Sequence, residues 1–225
     1  MESPNDSSWR ARVADYKFTF LLVALLVLAL MPAVVGASDQ RSLIFRVASV
    51  AVMLLGVLTV LQHRKACVVA AVLGVLATAA QGASFVYGTQ HYLQLRLALL
   101  AAFLVFLAVV IVRDVLRAET VTWDKIQGAL CAYLLFGLAW GLLYAWVGLR
   151  DPQAFSAAVD VAGHSGEPMT YYSFVTLTTL GYGDITPVNQ TARTLSWLEA
   201  AFGQIYLVVL VAHLVSRQLF HSSRG

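Results

Sequence analysis

Apolar residues occur in long unbroken runs, neither at the three-and-four spacing of a surface helix nor in the alternation of a half-buried strand. A bilayer core of about 30 Å asks for about 20 such residues per helix. Six stretches have that length: Phe18–Gly36, Leu43–Gln62, Ala66–Phe85, Tyr92–Val112, Ile126–Leu149 and Thr194–Ser216. The pattern predicts an all-α membrane protein with six transmembrane helices. Arg10 and Arg12 precede the first run, and Val35 and Ala37 mimic a cleavage site. That run exceeds the about 7 to 15 residues of a secretory signal core, so it is read as a membrane helix.

Composition agrees with lipid as the partner. With 60% hydrophobic and 12% charged residues and a mean hydropathy of +0.76, the chain departs from a water-soluble domain, in which about 25% of residues are charged. It departs equally from a disordered chain, which is poor in apolar residues. A net charge of +3 raises the question of nucleic acid, but the basic residues are scattered between apolar runs and form no patch. Cys67 and Cys131 lie in separate apolar runs without a second cysteine nearby, so neither a disulfide nor a zinc site is indicated.

The basic residues set the orientation. Arg10, Arg12, Lys17, Arg64, Lys65, Arg113, Arg117, Lys125, Arg217 and Arg224 fall on one side of the six runs, against Arg41, Arg150 and Arg193 on the other. The richer side faces the cytoplasm, which places both termini there in a multi-pass cell-membrane protein. The chain divides into a leader (1–16), a four-helix membrane domain (17–112), a cytoplasmic linker (113–125), a second membrane unit (126–217) and a short tail (218–225). Nothing in that tail has the length of a nucleotide-binding or calcium-binding regulatory domain.

Between the last two runs, residues 150–193 form a long connection with its own semi-apolar segment, Pro168–Thr178, and then a glycine-bearing strip. Non-helical backbone at membrane depth is tolerated only where it is buried in protein or lines a water-filled cavity, so a pore is expected. The strip reads Thr178-Thr179-Leu180-Gly181-Tyr182-Gly183-Asp184. Gly181 and Gly183 accept left-handed backbone angles, and alternating them with Leu180 and Tyr182 lets successive carbonyls face one side. Several copies around an axis would stack rings of oxygens able to replace the water around a cation.

Thr179 to Asp184, between two membrane helices and after a short helix, resembles the signature of the potassium channel superfamily, whose filter is the handled case of carbonyl-ring selectivity. Pro187 follows the strip, and Gly203 stands where the family often has a hinge glycine. The resemblance covers about the last hundred residues and is closest to prokaryotic two-helix pore modules; the four preceding helices give a subunit similar in topology to voltage-gated relatives. It implies a homotetramer with a re-entrant pore helix, and K+ bound by the carbonyls of Thr179, Leu180, Gly181 and Tyr182, with the Thr179 hydroxyl. Gly183 would form the outer entrance. Thr178, Tyr171, Tyr172 and Asp184 would support the filter, one tyrosine reaching Asp184; the alternative for the tyrosines is an interfacial aromatic belt. Val175 stands where some relatives place a glutamate that pairs with the filter aspartate. No cofactor is implied, K+ being the permeant ligand, and the partners are further copies of the chain and lipid.

Other charges refine the expectation. A voltage sensor needs about 3 to 4 gating charges per subunit, and none lies between Arg96 and Arg113, so gating by voltage should be weak. Arg46 is read as an anchor near the extracellular end. Glu199 is expected to bond within the packed pore, and His213 to sit at the lipid interface. In the last run Val208, Ala212 and Val215 share one helical face and, with Gly203, are gate candidates; the alternative is that this face packs on the fifth helix or on lipid. The rival functions are a weakly selective cation channel, a non-conducting subunit that modifies a partner, and a transporter or membrane enzyme. An enzyme would need a cluster of acid, base or nucleophile, and a transporter paired broken helices in two halves. The sequence offers neither.

Overall fold

The computed structural model describes residues 17–34, 39–61, 63–118, 122–156 and 167–222, with side chains left aside at 32–34, 39–46, 85, 167 and 218–222. The leader 1–16, the end of the tail at 223–225 and the Arg46 side chain lie outside the described residues. Seven α-helices are described: α1 (Lys17–Val34), α2 (Asp39–Thr59), α3 (Arg64–Tyr87), α4 (Gln90–Arg117), α5 (Trp123–Arg150), α6 (Glu167–Leu177) and α7 (Gln190–Ser222). Four of them, α3, α4, α5 and α7, are long and apolar enough to cross a membrane. α1 and α2 contribute the shorter apolar stretches Lys17–Met31 and Val47–Thr59. Among the described residues the extended structure is a single bridge, Phe155 with Pro187.

Several boundaries differ from those expected. α4 continues through Arg113 to Arg117, and α5 begins at Trp123 rather than Ile126, so the linker of 113–125 shrinks to the residues around 118–122. The cause is that charge ends an apolar run without ending a helix; Arg113 and Arg117 are good helix formers, and Asp114 is held there by Lys17 and Lys125. The Thr122 side chain accepts a hydrogen bond from the Lys125 N–H and starts α5. α7 likewise begins at Gln190, four residues before Thr194, because the Asn189 side chain caps it by accepting from the Ala192 N–H at 2.8 Å. It then runs past residue 217 to Ser222.

With so short a connection, α4 and α5 form an antiparallel hairpin and α4 packs extensively on the α5 of its own chain. The main core joins α1 to α5 through Phe18, Leu21 and Leu25 with Phe103, Leu107 and Leu135. Gly128 lets α1 approach: a Cβ there would lie 2.8 Å from the Phe18 ring. At the end where these helices begin, Asp114 of α4 binds Lys17 at 3.1 Å and Lys125 at 2.8 Å, while the Phe18 N–H donates to Asp124. One carboxylate thus ties the starts of α1 and α5 to the end of α4. A second core, built from Tyr144, Phe155, Met169 and Tyr172, lies under the other end of α5 and holds α6.

Candidate functional site

α6 is a short helix wedged against α5 by two glycines four residues apart. A Cβ at Gly137 would come 2.6 Å from the Phe174 ring, and one at Gly141 would come 2.8 Å from the Thr170 backbone. This small-residue spacing is a signal readable in the sequence. On the other side α6 ends against Gly203 of α7, where a Cβ would run into the Leu177 carbonyl oxygen and lie 2.9 Å from Leu177 Cδ1.

The strip after α6 turns back on the helix end. The Thr178 N–H donates to Phe174 O (3.1 Å), the Thr179 N–H to Thr176 O (2.9 Å), and the N–H groups of Leu180 and Gly181 both to Val175 O (2.9 and 3.3 Å). Val175 is buried; lacking a carboxylate, it serves the strip through its backbone. φ is positive at Thr179 (58°), Gly181 (61°) and Gly183 (80°). Every second residue from Thr179 to Gly183 is therefore left-handed, the alternation that a strip with its carbonyls on one side requires. Thr179 is unexpected in that set, because a β-branched residue resists φ > 0; its N–H bond to α6 helps hold it there. Leu180 and Tyr182 are exposed, Tyr182 at 68%.

Of the residues expected to support the strip, Tyr171 and Asp184 are joined directly. The Tyr171 hydroxyl donates to Asp184 Oδ2 at 2.8 Å. That bond to a carboxylate holds the phenol's proton and pushes its pKa above the ordinary value. Tyr172 is buried among Tyr144 and Phe155, with edge-to-face ring contacts at 5.0 and 5.3 Å, and its hydroxyl meets Ser196 Oγ at 2.6 Å. The two tyrosines thus have different partners: Tyr171 reaches Asp184, and Tyr172 packs into the core beside α6. The Thr178 hydroxyl donates to Phe174 O. Beyond Asp184 the chain pairs with the segment after α5: the Ser156 N–H donates to Thr186 O and the Val188 N–H to Ala154 O, and Asn189 Nδ2 donates to Asp151 at 2.6 Å.

Residues 128–218 match the model of a family described as ion channel. The matched segment holds α5 almost whole, α6, the glycine strip and α7 to its last turns, so the similarity falls on the part of the chain built around the strip. Comparison with curated proteins and with solved structures gave no match. That similarity together with the apolar helices fits a multi-pass membrane protein.

Within the matched segment, α7 presents two faces. Phe202, Tyr206 and Leu210 pack toward α5, with the Tyr206 hydroxyl donating to Ala129 O at 2.7 Å. Val208, Ala212 and Val215 lie on the exposed side, Val208 at 67%. The alternative that this stripe packs on the fifth helix is thereby removed within the subunit. Gly203 sits inside a continuous helix. His213 is half-buried, and its Nε2 has no hydrogen-bond partner among the described residues. Glu199 is fully buried and bonded to Ser173 and Tyr144, partners that the sequence did not disclose.

Proposed function

We infer that the protein is a potassium-selective channel, a homotetramer of six-helix subunits in the cell membrane with both termini on the cytoplasmic side. The observation that carries this reading is the left-handed backbone at Thr179, Gly181 and Gly183. In four copies that alternation supplies rings of carbonyls from Thr179, Leu180, Gly181 and Tyr182, with the Thr179 hydroxyl below and Gly183 at the entrance. Such rings replace the hydration shell of a dehydrated cation. α6 ends at the strip, so its negative dipole end favours a cation at the inner mouth. K+ is cargo here, and no cofactor enters.

The burial pattern supports assembly. α7 is the least buried of the four long apolar helices, and its exposed face carries Trp197, Ile205, Val208, Val211 and Val215. An apolar face of that extent next to an exposed strip needs a cover, and further copies of the chain provide it on the pore side. Lipid covers the outer faces of α1–α4. Voltage has little to act on: Arg96 and Arg113 are about 26 Å apart along α4 at 1.5 Å per residue, with no charge between them.

Purified protein in liposomes should pass K+ over Na+ by more than about tenfold, a ratio that carbonyl-ring coordination sustains. In planar bilayers its open probability should change only shallowly with voltage. Equal K+ and Na+ flux would make it a weakly selective cation channel; no flux from the chain alone would favour the non-conducting subunit. A steep voltage response would refute the sensor-free reading of α4.

The gate is assigned to the exposed stripe of α7. Four copies of Val208, Ala212 and Val215 would form an apolar constriction that closes by dewetting. Val208→Asp, Ala212→Asp and Val215→Asp should each hydrate it and raise resting K+ flux several-fold. If all three leave flux unchanged in a folded tetramer, the gate lies in the filter.

A further inference from the structure

Glu199 is the one carboxyl of α7, and it has no exposure to solvent; neither have its two partners, Ser173 and Tyr144. The Tyr144 hydroxyl of α5 donates to Glu199 Oε2 at 2.6 Å. Ser173 Oγ of α6 lies 2.5 Å from Glu199 Oε1 and 2.7 Å from the Gly137 carbonyl of α5. The three residues come from three different helices, α5, α6 and α7. They meet inside one subunit, so their burial does not depend on assembly. The ion pairs of the described residues converge instead on Asp114, far along the chain from this site.

The hydrogens can be counted. A serine hydroxyl has one hydrogen, and Ser173 faces two oxygens, of which the Gly137 carbonyl can only accept. With a proton on Glu199 Oε1, every contact is satisfied: Glu199 donates to Ser173, Ser173 to Gly137 O, and Tyr144 to Oε2. As a carboxylate, Glu199 would compete with Gly137 for the one hydrogen and carry an unpaired buried charge, which is costly. The geometry therefore describes a neutral acid acting as a hydrogen-bonding latch. Ser173 stands two residues before Val175, whose carbonyl receives the amides of Leu180 and Gly181. Whatever fixes Ser173 also fixes the origin of the strip.

We propose that Glu199 is a positioning residue for the filter: its carboxyl locks α6 between α5 and α7, and the lock sets how strictly the strip selects. The inference rests on the conduction reading above, and its test separates the two. Full-length protein, reconstituted, is compared as wild type, Glu199→Gln and Glu199→Leu. Two quantities are read: the K+/Na+ permeability ratio, and the hydrogen-exchange rate of backbone amides in residues 170–181.

Glu199→Leu removes the bond that each of two buried hydroxyls makes to the carboxyl, Ser173 keeping Gly137 O, and the expected result is a permeability ratio lowered about tenfold with exchange faster by about tenfold. Glu199→Gln keeps the pattern, since its amide donates to Ser173 and its carbonyl accepts from Tyr144. It should stay within about twofold of wild type on both readouts. Ser173→Ala should change both readouts less in the Glu199→Leu background than in wild type, because the bond to Glu199 is already gone there and only the bond to Gly137 O is still lost. If Glu199→Leu does not assemble, the pair Ser173→Ala with Tyr144→Phe is read in its place. An assembled Glu199→Leu or pair variant with wild-type ratio and exchange overturns the latch, as does a Glu199→Gln variant as impaired as Glu199→Leu. If wild type itself shows no selective flux, the conduction reading falls. Exchange alone then decides the latch: faster exchange in Glu199→Leu upholds it, and unchanged exchange overturns it.

Discussion

Replacing Gly183 by alanine should abolish selective K+ flux while leaving the assembled protein intact. Gly183 has φ +80° and nothing within 4 Å of where a Cβ would stand in the subunit. The penalty is therefore one of backbone angle and involves no collision. An L-residue held left-handed costs about 1–2 kcal/mol. A filter made of four strips would bear that cost four times, enough to lower the conducting population by more than about a hundredfold at 1.4 kcal/mol per decade. Flux measured in liposomes, with size-exclusion profiles to show that assembly persists, checks the result. Wild-type flux from Gly183→Ala would mean that the left-handed turn at the entrance is dispensable, and the filter reading would lose its main support.

The contrast between what the residues announced and what they concealed follows a physical line. Long apolar runs have one stable solution in lipid, so the helices could be placed from the sequence. Their ends could not, because Arg113 and Asp114 close a hydrophobic run but continue the helix, and because Thr122 and Asn189 act as caps through side-chain bonds that hydropathy does not register. The left-handed turns at Gly181 and Gly183 were readable because glycine alone adopts them freely. The turn at Thr179 ran against local preference and is held by the end of α6. That one of Tyr171 and Tyr172 would reach Asp184 was expected from family resemblance, and it is Tyr171 that does so, at 2.8 Å. The partners of Glu199 were not readable. Which residues of α5 and α6 face it depends on how three helices cross, and that is set by the glycines at 137, 141 and 203, each of which admits a neighbour's atoms where a side chain would otherwise stand.

That role makes Gly203 the position where the smallest added group should do the most damage to packing. It lies within α7, with ordinary helical angles, so alanine meets no backbone penalty there. Helix propensity alone would reward the change by about 0.5–1 kcal/mol. Against this, the new methyl would be driven into the Leu177 carbonyl and to 2.9 Å from its Cδ1. Leu177 is the last residue of α6 and fully buried, with the Tyr133 hydroxyl on the same carbonyl, so it has little room to withdraw. Overpacking of this kind costs about 1–3 kcal/mol, which outweighs the propensity gain, and Gly203→Val should cost more. Gly82 provides the control: it is a helical glycine with nothing within 4 Å, and Gly82→Ala should be neutral or slightly stabilising. Thermal midpoints of the purified variants should therefore fall in the order Gly82→Ala, Gly203→Ala, Gly203→Val, with faster hydrogen exchange at the end of α6 only in the Gly203 pair. If Gly203 serves solely as a bend for opening, Gly203→Ala would instead alter open probability while stability and exchange stayed at wild-type values, and the packing role assigned to it here would be wrong.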